Sequence, residues 1–409
     1  MSNPKLALIP SGYKNNKVYS ILPNNGSGDF TFARNSGGTR VNKQGLIEQM
    51  QTYGSQLLNN SDFNSTSDWT INNTGSATSV IENGYLHIIT SGDYTEATQS
   101  IGLTAGDTYR VDYEILENTA GTISIIGNGG ASTIIPSTVG KHTIEYDAQA
   151  VFAVKRTTGS TNIKIAYIKV YKVQYNTPRL DWLNSNCPSL LLEPQSTNTA
   201  TYSNDFTQGD IFNGSGDPQT EEAVLTSQQA IAPDGTNSAW LLKDDNSGGT
   251  GTPNLRYFTA SVNSNDFNTV SVFVKKALTN VYIALASGGF DTSANGASWF
   301  NISNGTLGNI DSDHTAKIED YGNGWYRCQI TFKTTTDTTG AVRIRLASTN
   351  GSTSVTLDGT NGVYIYGLQC EADASRNYAT SYIPTYNSTA TRLAETCSVT
   401  TPSGVTQIV

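Results

Sequence analysis

The chain has 409 residues, more than one ordinary domain, and its 25 Lys and Arg against 34 Asp and Glu give a net charge of −9. An acidic chain without clustered cations excludes a binder of the nucleic-acid backbone, and no apolar run is long enough for a membrane-spanning helix. Only 14% of residues are charged, Asn, Ser, Thr and Gly crowd every segment, and β-branched and aromatic residues fill the apolar positions; strands and polar turns are predicted rather than helices.

Residues 1–54 read as a leader. LALIP, KVYSIL and DFTFAR are short strand candidates, and GGTRVNKQGLIEQ reads as a hairpin. Strands too short to bury their own faces lie on something else: a partner surface, a neighbouring subunit or the chain's own sandwiches. The N-terminus has no apolar signal-peptide core. Cys187, Cys328, Cys370 and Cys397 are scattered without a CxxC pair, as expected of reduced thiols in a protein made in a cytoplasm.

Residues 55–175 form a first sandwich. In YRVDYEIL, Tyr109, Val111, Tyr113 and Ile115 share one face, and Arg110, Asp112 and Glu114 take the other. Turns are expected at Asn83-Gly84, Ala105-Gly106-Asp107 and residues 127–130. Residues 176–199 then carry prolines at Pro178, Pro188 and Pro194, which forbid a long helix. They read as an extended strap pinned by Leu190, Leu191 and Leu192.

Residues 200–385 repeat the plan at greater length, SNDF (203–206) answering NSDF (60–63). Val270, Val272 and Val274 share a face, as do Val281, Ile283 and Leu285, and Val342, Ile344 and Leu346. WYRCQITFK places Tyr326, Cys328, Ile330 and Phe332 inward and Arg327, Gln329 and Thr331 outward. Asn304-Gly305 suits a two-residue hairpin turn. Trp69, Trp240 and Trp325 are expected in the core. Residues 386–409 make a polar tail with one more strand candidate, VTQIV. The predicted class is all-β, with two antiparallel jelly-roll β-sandwiches of one topology behind an extended N-terminal docking segment.

Four pieces, DFTFARNSGGTRVNKQGLIE, PRLDW with CPSLLLEPQSTN, GNGWYRC, and VYIYGLQCE with ATSYIPT, occur in this order over residues 29–48 and 178–385. Together they resemble a family of tailed-bacteriophage virion proteins: fibre, appendage and decoration proteins built on a jelly roll similar to carbohydrate-binding modules. In that family GLIE runs quickly into PRLDY, so the first sandwich looks like an insertion, and a chain ending soon after TSYIPT suggests a compact appendage. The resemblance implies a homotrimeric head or neck fibre or decoration protein, located on the virion and contacting other virion proteins through its N-terminal segment. The alternatives are a receptor-binding tail fibre that grips a host-surface glycan, and a polysaccharide depolymerase.

Motifs for catalysis are missing: GxSxG, HExxH and the P-loop do not occur. His87, His142 and His314 read as hydrogen-bonded surface residues. Acidic pairs such as Glu221-Glu222 and Asp244-Asp245 have no fixed facing geometry, so no enzyme activity and no organic cofactor are expected. A structural calcium would fall to Asp244, Asp245 and Glu371, which otherwise are solvated acids. A sugar site would fall to Tyr282, Trp299, Arg343 and Arg345, which the strand phases send away from the core. The competing reading of these four is a subunit interface, where Tyr, Trp and Arg are also enriched.

Overall fold

The computed structural model describes residues 7–126, 132–149, 151–157, 159–208, 220–259, 262–290, 294–386 and 388–400. The expected turn at 127–130 and the VTQIV strand lie outside these. Among the described residues there are strands and turns but no α-helix. The chain divides into two compact units: residues 51–174 form one, and residues 1–50 with 175–409 form the other.

Among its described residues, unit 51–174 is a sandwich whose two sheets are built on ten strands besides the short Thr52–Gln56: β1 (Thr70–Asn73), β2 (Val80–Glu82), β3 (Tyr85–Thr90), β4 (Thr95–Gln99), β5 (Thr108–Ala120), β6 (Ile123–Ile126), β7 (Ser132–Ile135), β8 (Gly140–Asp147), β9 (Phe152–Arg156) and β10 (Thr161–Gln174). One sheet runs β7-β6-β9-β4-β1 and the other β8-β5-β10-β3-β2. Every named pair is antiparallel. The strand from Thr52 to Gln56 also pairs with β10. The period-2 pattern of β5 holds: Tyr109, Val111, Tyr113 and Ile115 are buried in the core with Trp69 and Phe152. Asn83 and Gly84, at φ 51° and 78°, turn the chain between the paired Glu82 and Tyr85. Positive φ at both central residues is what a two-residue hairpin requires.

The other unit holds a second sandwich: β11 (Thr220–Glu221), β12 (Ala223–Ala230), β13 (Ala239–Asp244), β14 (Asn254–Thr259), β15 (Phe267–Lys276), β16 (Tyr282–Gly288), β17 (Gly296–Asn301), β18 (Thr306–Leu307), β19 (Thr315–Asp320), β20 (Trp325–Lys333), β21 (Gly340–Ala347) and β22 (Gly362–Asp373). Its sheets run β11-β14-β21-β16-β17-β18 and β12-β13-β22-β15-β20-β19. Taking β11 to β17 and β20 to β22 as the counterparts of β1 to β10 reproduces both sheet orders of the smaller unit. Without β1 and β2 the smaller sandwich is an eight-stranded jelly roll, and without β11 and β12 the larger is the same jelly roll with β18 and β19 added at the sheet edges. One topology is therefore used twice. Between the sheets lie Val270, Val272 and Val274, Ile283 and Leu285, Val342, Ile344 and Leu346, and Cys328, Ile330 and Phe332.

One expectation about β20 fails. Arg327, Gln329 and Thr331 do point away from this core, yet each is buried. A third layer covers them: Val41, Ile47, Phe273, Tyr321, Trp325, Tyr366 and Tyr382 form a second apolar cluster on the far side of the sheet. The Arg327 guanidinium lies 5.3 Å over the Phe273 ring and donates to Ser271 Oγ and Thr380 O, which satisfies its buried donors. Residues 30–50 of the leader thus lie on the chain's own sandwich. Thr39–Val41 pairs with Ile47–Gln49, and Phe30–Ala33 pairs with Thr396–Ser398 of the tail. Farther out, the hairpin of Ala7–Lys14 with Lys17–Leu22 leaves Tyr19, Ile21 and Leu22 exposed.

The strap is not pinned by its leucines, since Leu190 and Leu191 are only half-buried and Leu192 is exposed. Charge holds it. Arg179 is fully buried and donates to Glu395 from Nε (2.7 Å) and Nη2 (2.5 Å), to Glu193 Oε2 (2.8 Å) and to Thr39 O (2.7 Å). Arg34 donates to Glu395 Oε1 (3.0 Å), and Arg392 lies 3.4 Å from Glu193. Burial pushes the Glu193 carboxyl up, but Arg179 and Arg392 outweigh it and hold the group down at about 2. Desolvation lowers Arg34 to about 10 despite Glu395. Leader, strap and tail each supply part of this cluster, so the tail is also part of the fold.

Two local expectations also change. Residues 302–305 form a four-residue connection between Asn301 and Thr306, with positive φ at Gly305 but not at Asn304. His314 is buried rather than superficial, between Ser287 Oγ (2.8 Å) and Ser298 Oγ (2.9 Å), and burial lowers its pKa.

Candidate functional site

The four residues singled out for sugar binding stand on one face of the β11-β14-β21-β16-β17-β18 sheet. Ile283 and Leu285 of β16 point into the core, which turns Tyr282, Ala284 and Ala286 outward. Register does the rest. Ala284 stands opposite Arg345 on one side and Trp299 on the other; Ala286 stands opposite Arg343 and Ala297; Tyr282 stands opposite Ala347 and Asn301. Ala284 and Ala286 are almost fully buried although they face outward, so longer neighbours lie across them. Trp299, Arg343, Arg345 and Tyr282 are half-buried.

The next strand adds a residue that the sequence reading missed. In NLRYFT, Leu255 and Tyr257 enter the core, so Asn254 and Arg256 face outward, and Arg256 stands opposite Arg343. The same period-2 alternation could have found it. Asn254 stands opposite Arg345 and donates from Nδ2 to Glu221 Oε2 at 3.0 Å. Beyond Trp299, Gly308 leaves space for the Asn350 amide, whose Oδ1 accepts from Asn309 N at 2.6 Å. An added Cβ at Gly308 would meet Asn350 Oδ1 and, at 3.0 Å, Trp299 Cβ.

Polar atoms on this face are sheltered without being satisfied. Trp299 Nε1, Arg345 Nε and Asn254 Oδ1 are buried and have no hydrogen-bond partner among the described residues. Burial lowers the pKa of both Arg256 and Arg345, the Arg343 charge lowers it further, and Glu221 opposes. An indole with its N–H to spare, three guanidinium groups and planar amides can stack a ring and receive hydroxyl or anionic oxygens.

The residues considered for calcium do not converge. Asp244 accepts from the backbone N–H groups of Gly359 (2.5 Å), Asn246 (3.1 Å) and Asn361 (2.8 Å), and so shapes a loop. Asp245 accepts from Ser247 N at 3.1 Å. Glu371 lies nine positions along β22 from Gly362, the partner of Lys243, a separation of roughly 30 Å at about 3.3 Å per residue. It accepts from Ser196 Oγ, Thr380 N and Thr380 Oγ1. Groups of three or more His, Cys, Asp or Glu suited to a metal are absent among the described residues.

Trp69 and Trp325 are buried as expected, and Trp240 is half-buried against the core with Nε1 donating to Asn204 O at 2.9 Å. His87 Nε2 meets Asn162 Oδ1 at 2.7 Å and His142 Nε2 meets Thr138 O at 2.6 Å.

No protein-family model and no curated protein sequence matches the chain. Among solved structures, the tandem CBM22-1–CBM22-2 domain of Paenibacillus barcinonensis Xyn10C is similar over 79% of this chain and 98% of that one, at 12% identity and a TM-score of 0.29. Truncated AlyQ with CBM32 and alginate lyase domains is similar over 86% and 99%, at 10% identity and a TM-score of 0.18. Likenesses this loose carry no functional conclusion. The jelly-roll assignment stands on the strand order.

Proposed function

We propose that the protein is a non-enzymatic virion component of a tailed bacteriophage that binds a glycan on the outer face of its larger jelly roll. The observation that carries the glycan reading is the set of Trp299, Arg343 and Arg345 on one face, with Trp299 Nε1 and Arg345 Nε sheltered and without partners. The virion reading rests on the sequence resemblance. Its motif residues Arg34, Arg179, Glu193, Thr380 and Tyr382 meet in the third layer, so the motifs encode architecture, and binding falls to surfaces outside them.

Attachment to other virion proteins is assigned to the N-terminal hairpin, where Tyr19, Ile21 and Leu22 stay exposed. A glycan array probed with the purified protein tests binding; a Trp299→Ala variant that binds as strongly would remove the site. A reducing-sugar assay tests the depolymerase alternative. Labelling on intact particles in the electron microscope tests the location. The second reading makes the same face a homotrimer contact, as Tyr, Trp and Arg at its centre suit an interface. Native mass spectrometry of the wild type and of Trp299→Ala separates the two.

A further inference from the structure

We infer that His314 is an acid-sensitive latch that holds residues 308–314 against β17, the strand that carries Trp299. The inference goes beyond the glycan reading and needs no ligand. His314 sits where three strands meet: Ser287 of β16, Ser298 of β17 and, at 6.2 Å between ring centroids, Phe332 of β20. Its own segment runs beside β17. Gly308 N donates to Trp299 O and Trp299 N donates to Asn309 O, both at 2.8 Å. Asp311 N donates to Ser298 Oγ at 3.2 Å, and His314 N donates to Asp311 O at 3.1 Å. The Asp311 carboxyl lies against Gly296, where an added Cβ would strike it.

The two hydroxyl groups fix the protonation of the ring. Ser287 Oγ donates its one proton to Ala294 O, so it accepts from Nε2. Ser298 Oγ already receives the Asp311 N–H, and among the described residues its own proton has one acceptor, Nδ1. The imidazole is therefore neutral, with hydrogen on Nε2 alone. A second proton, on Nδ1, would face a hydroxyl that no longer has an acceptor there, and would place a charge between the sheets. Among the described residues the charges that act on the ring are those of Asp311 and Asp313, on its own segment, and both favour the cation. Strands β16, β17 and β20 present it with two hydroxyl groups and a phenyl ring. Burial outweighs the two carboxylates and keeps the ring below its ordinary 6.5. An opened segment, with the imidazole in water, takes up the proton first, so the latch is at full strength above about pH 6.5 and weakens as pH falls below it. Opening removes both backbone hydrogen bonds of Trp299, and acid thereby loosens the strand beneath the indole.

Hydrogen exchange of the full chain at pH 7.5 and 5.0, corrected for the intrinsic rate at each pH, tests the latch. Residues 296–301 and 308–314 are expected to exchange about tenfold faster at the lower pH, the scale of one lost buried hydrogen bond, while residues 325–333 of β20 keep their rate. His314→Gln retains a donor for Ser287 and does not ionise, and it is expected to exchange alike at both pH values. Should that variant fail to fold, proton NMR of the wild type and of Ser298→Ala decides, since the chain has only three histidines to resolve. The His314 ring should titrate below 6.5 in the wild type, and closer to 6.5 once the hydroxyl that donates to Nδ1 is gone. Equal exchange of residues 308–314 at the two pH values would overturn the latch. So would equal acceleration of residues 325–333, or a wild-type His314 that titrates at 6.5 or above.

Discussion

Arg179 and Glu395, 216 residues apart in the chain, form a two-point ion pair with Nε to Oε1 at 2.7 Å and Nη2 to Oε2 at 2.5 Å, and neither side chain reaches solvent. A buried pair adds little net stability over apolar residues of the same shape, but removing one partner leaves an uncompensated charge. Glu395→Ala is therefore expected to destabilise the larger unit by about 3–5 kcal/mol. Calorimetry is the check. The transition of the larger unit should fall in temperature while that of residues 51–174 stays in place.

Acid should act through Glu193. Its folded-state carboxyl is held at about 2, against an ordinary 4.5, so the unfolded chain takes up the proton first. The resulting stability is complete above about pH 4.5 and is lost as pH falls toward 2. A shift of this size corresponds to on the order of 3 kcal/mol. Glu193→Gln should start less stable and lose less over that window. Denaturant midpoints measured between pH 5 and 2.5 would show the two curves converging.

The leader divides into two parts with different roles. Removing residues 1–29 should leave a soluble, cooperatively melting protein that no longer assembles onto particles. Removing residues 1–53 takes away Phe32, Arg34, Val41 and Ile47, all buried, and should give insoluble protein. A soluble and fully folded product from the longer deletion would show that the third layer is dispensable.

Cys328 is fully buried between Ile330 and the paired Val272, and burial raises its thiol pKa. It should resist thiol reagents under native conditions while the exposed Cys187 reacts. Cys328→Asp would place a charge in the core and should abolish soluble expression. Rapid native labelling of Cys328 would contradict its placement.

Strand phases were legible in the sequence wherever one face meets a core and the other meets water. Tyr109 to Ile115, Val270 to Val274 and Val342 to Leu346 all fall as period 2 predicts, and so the face carrying Trp299 and Arg345 was predictable too. The reading broke down where both faces are covered. Arg327, Gln329 and Thr331 look like solvent-facing residues because a polar side chain says nothing about distant chain that satisfies it. Arg179 and Glu395 are likewise silent until the fold joins strap to tail. The NG pair at Asn304 misled for a local reason: Ile302 is buried, so the chain dips inward and needs a longer turn.

Arg34 also marks the place where residues 51–174 depart and return. Its Nη2 donates to the carbonyl of Met50 at 2.7 Å and to that of Tyr175 at 2.5 Å, so one nitrogen clasps both ends of the excursion. A socket of this kind accepts any graft whose own ends lie side by side, as those of compact domains commonly do. Genes that recombine at these two points would exchange an entire jelly roll, or delete it, without disturbing the scaffold that carries it.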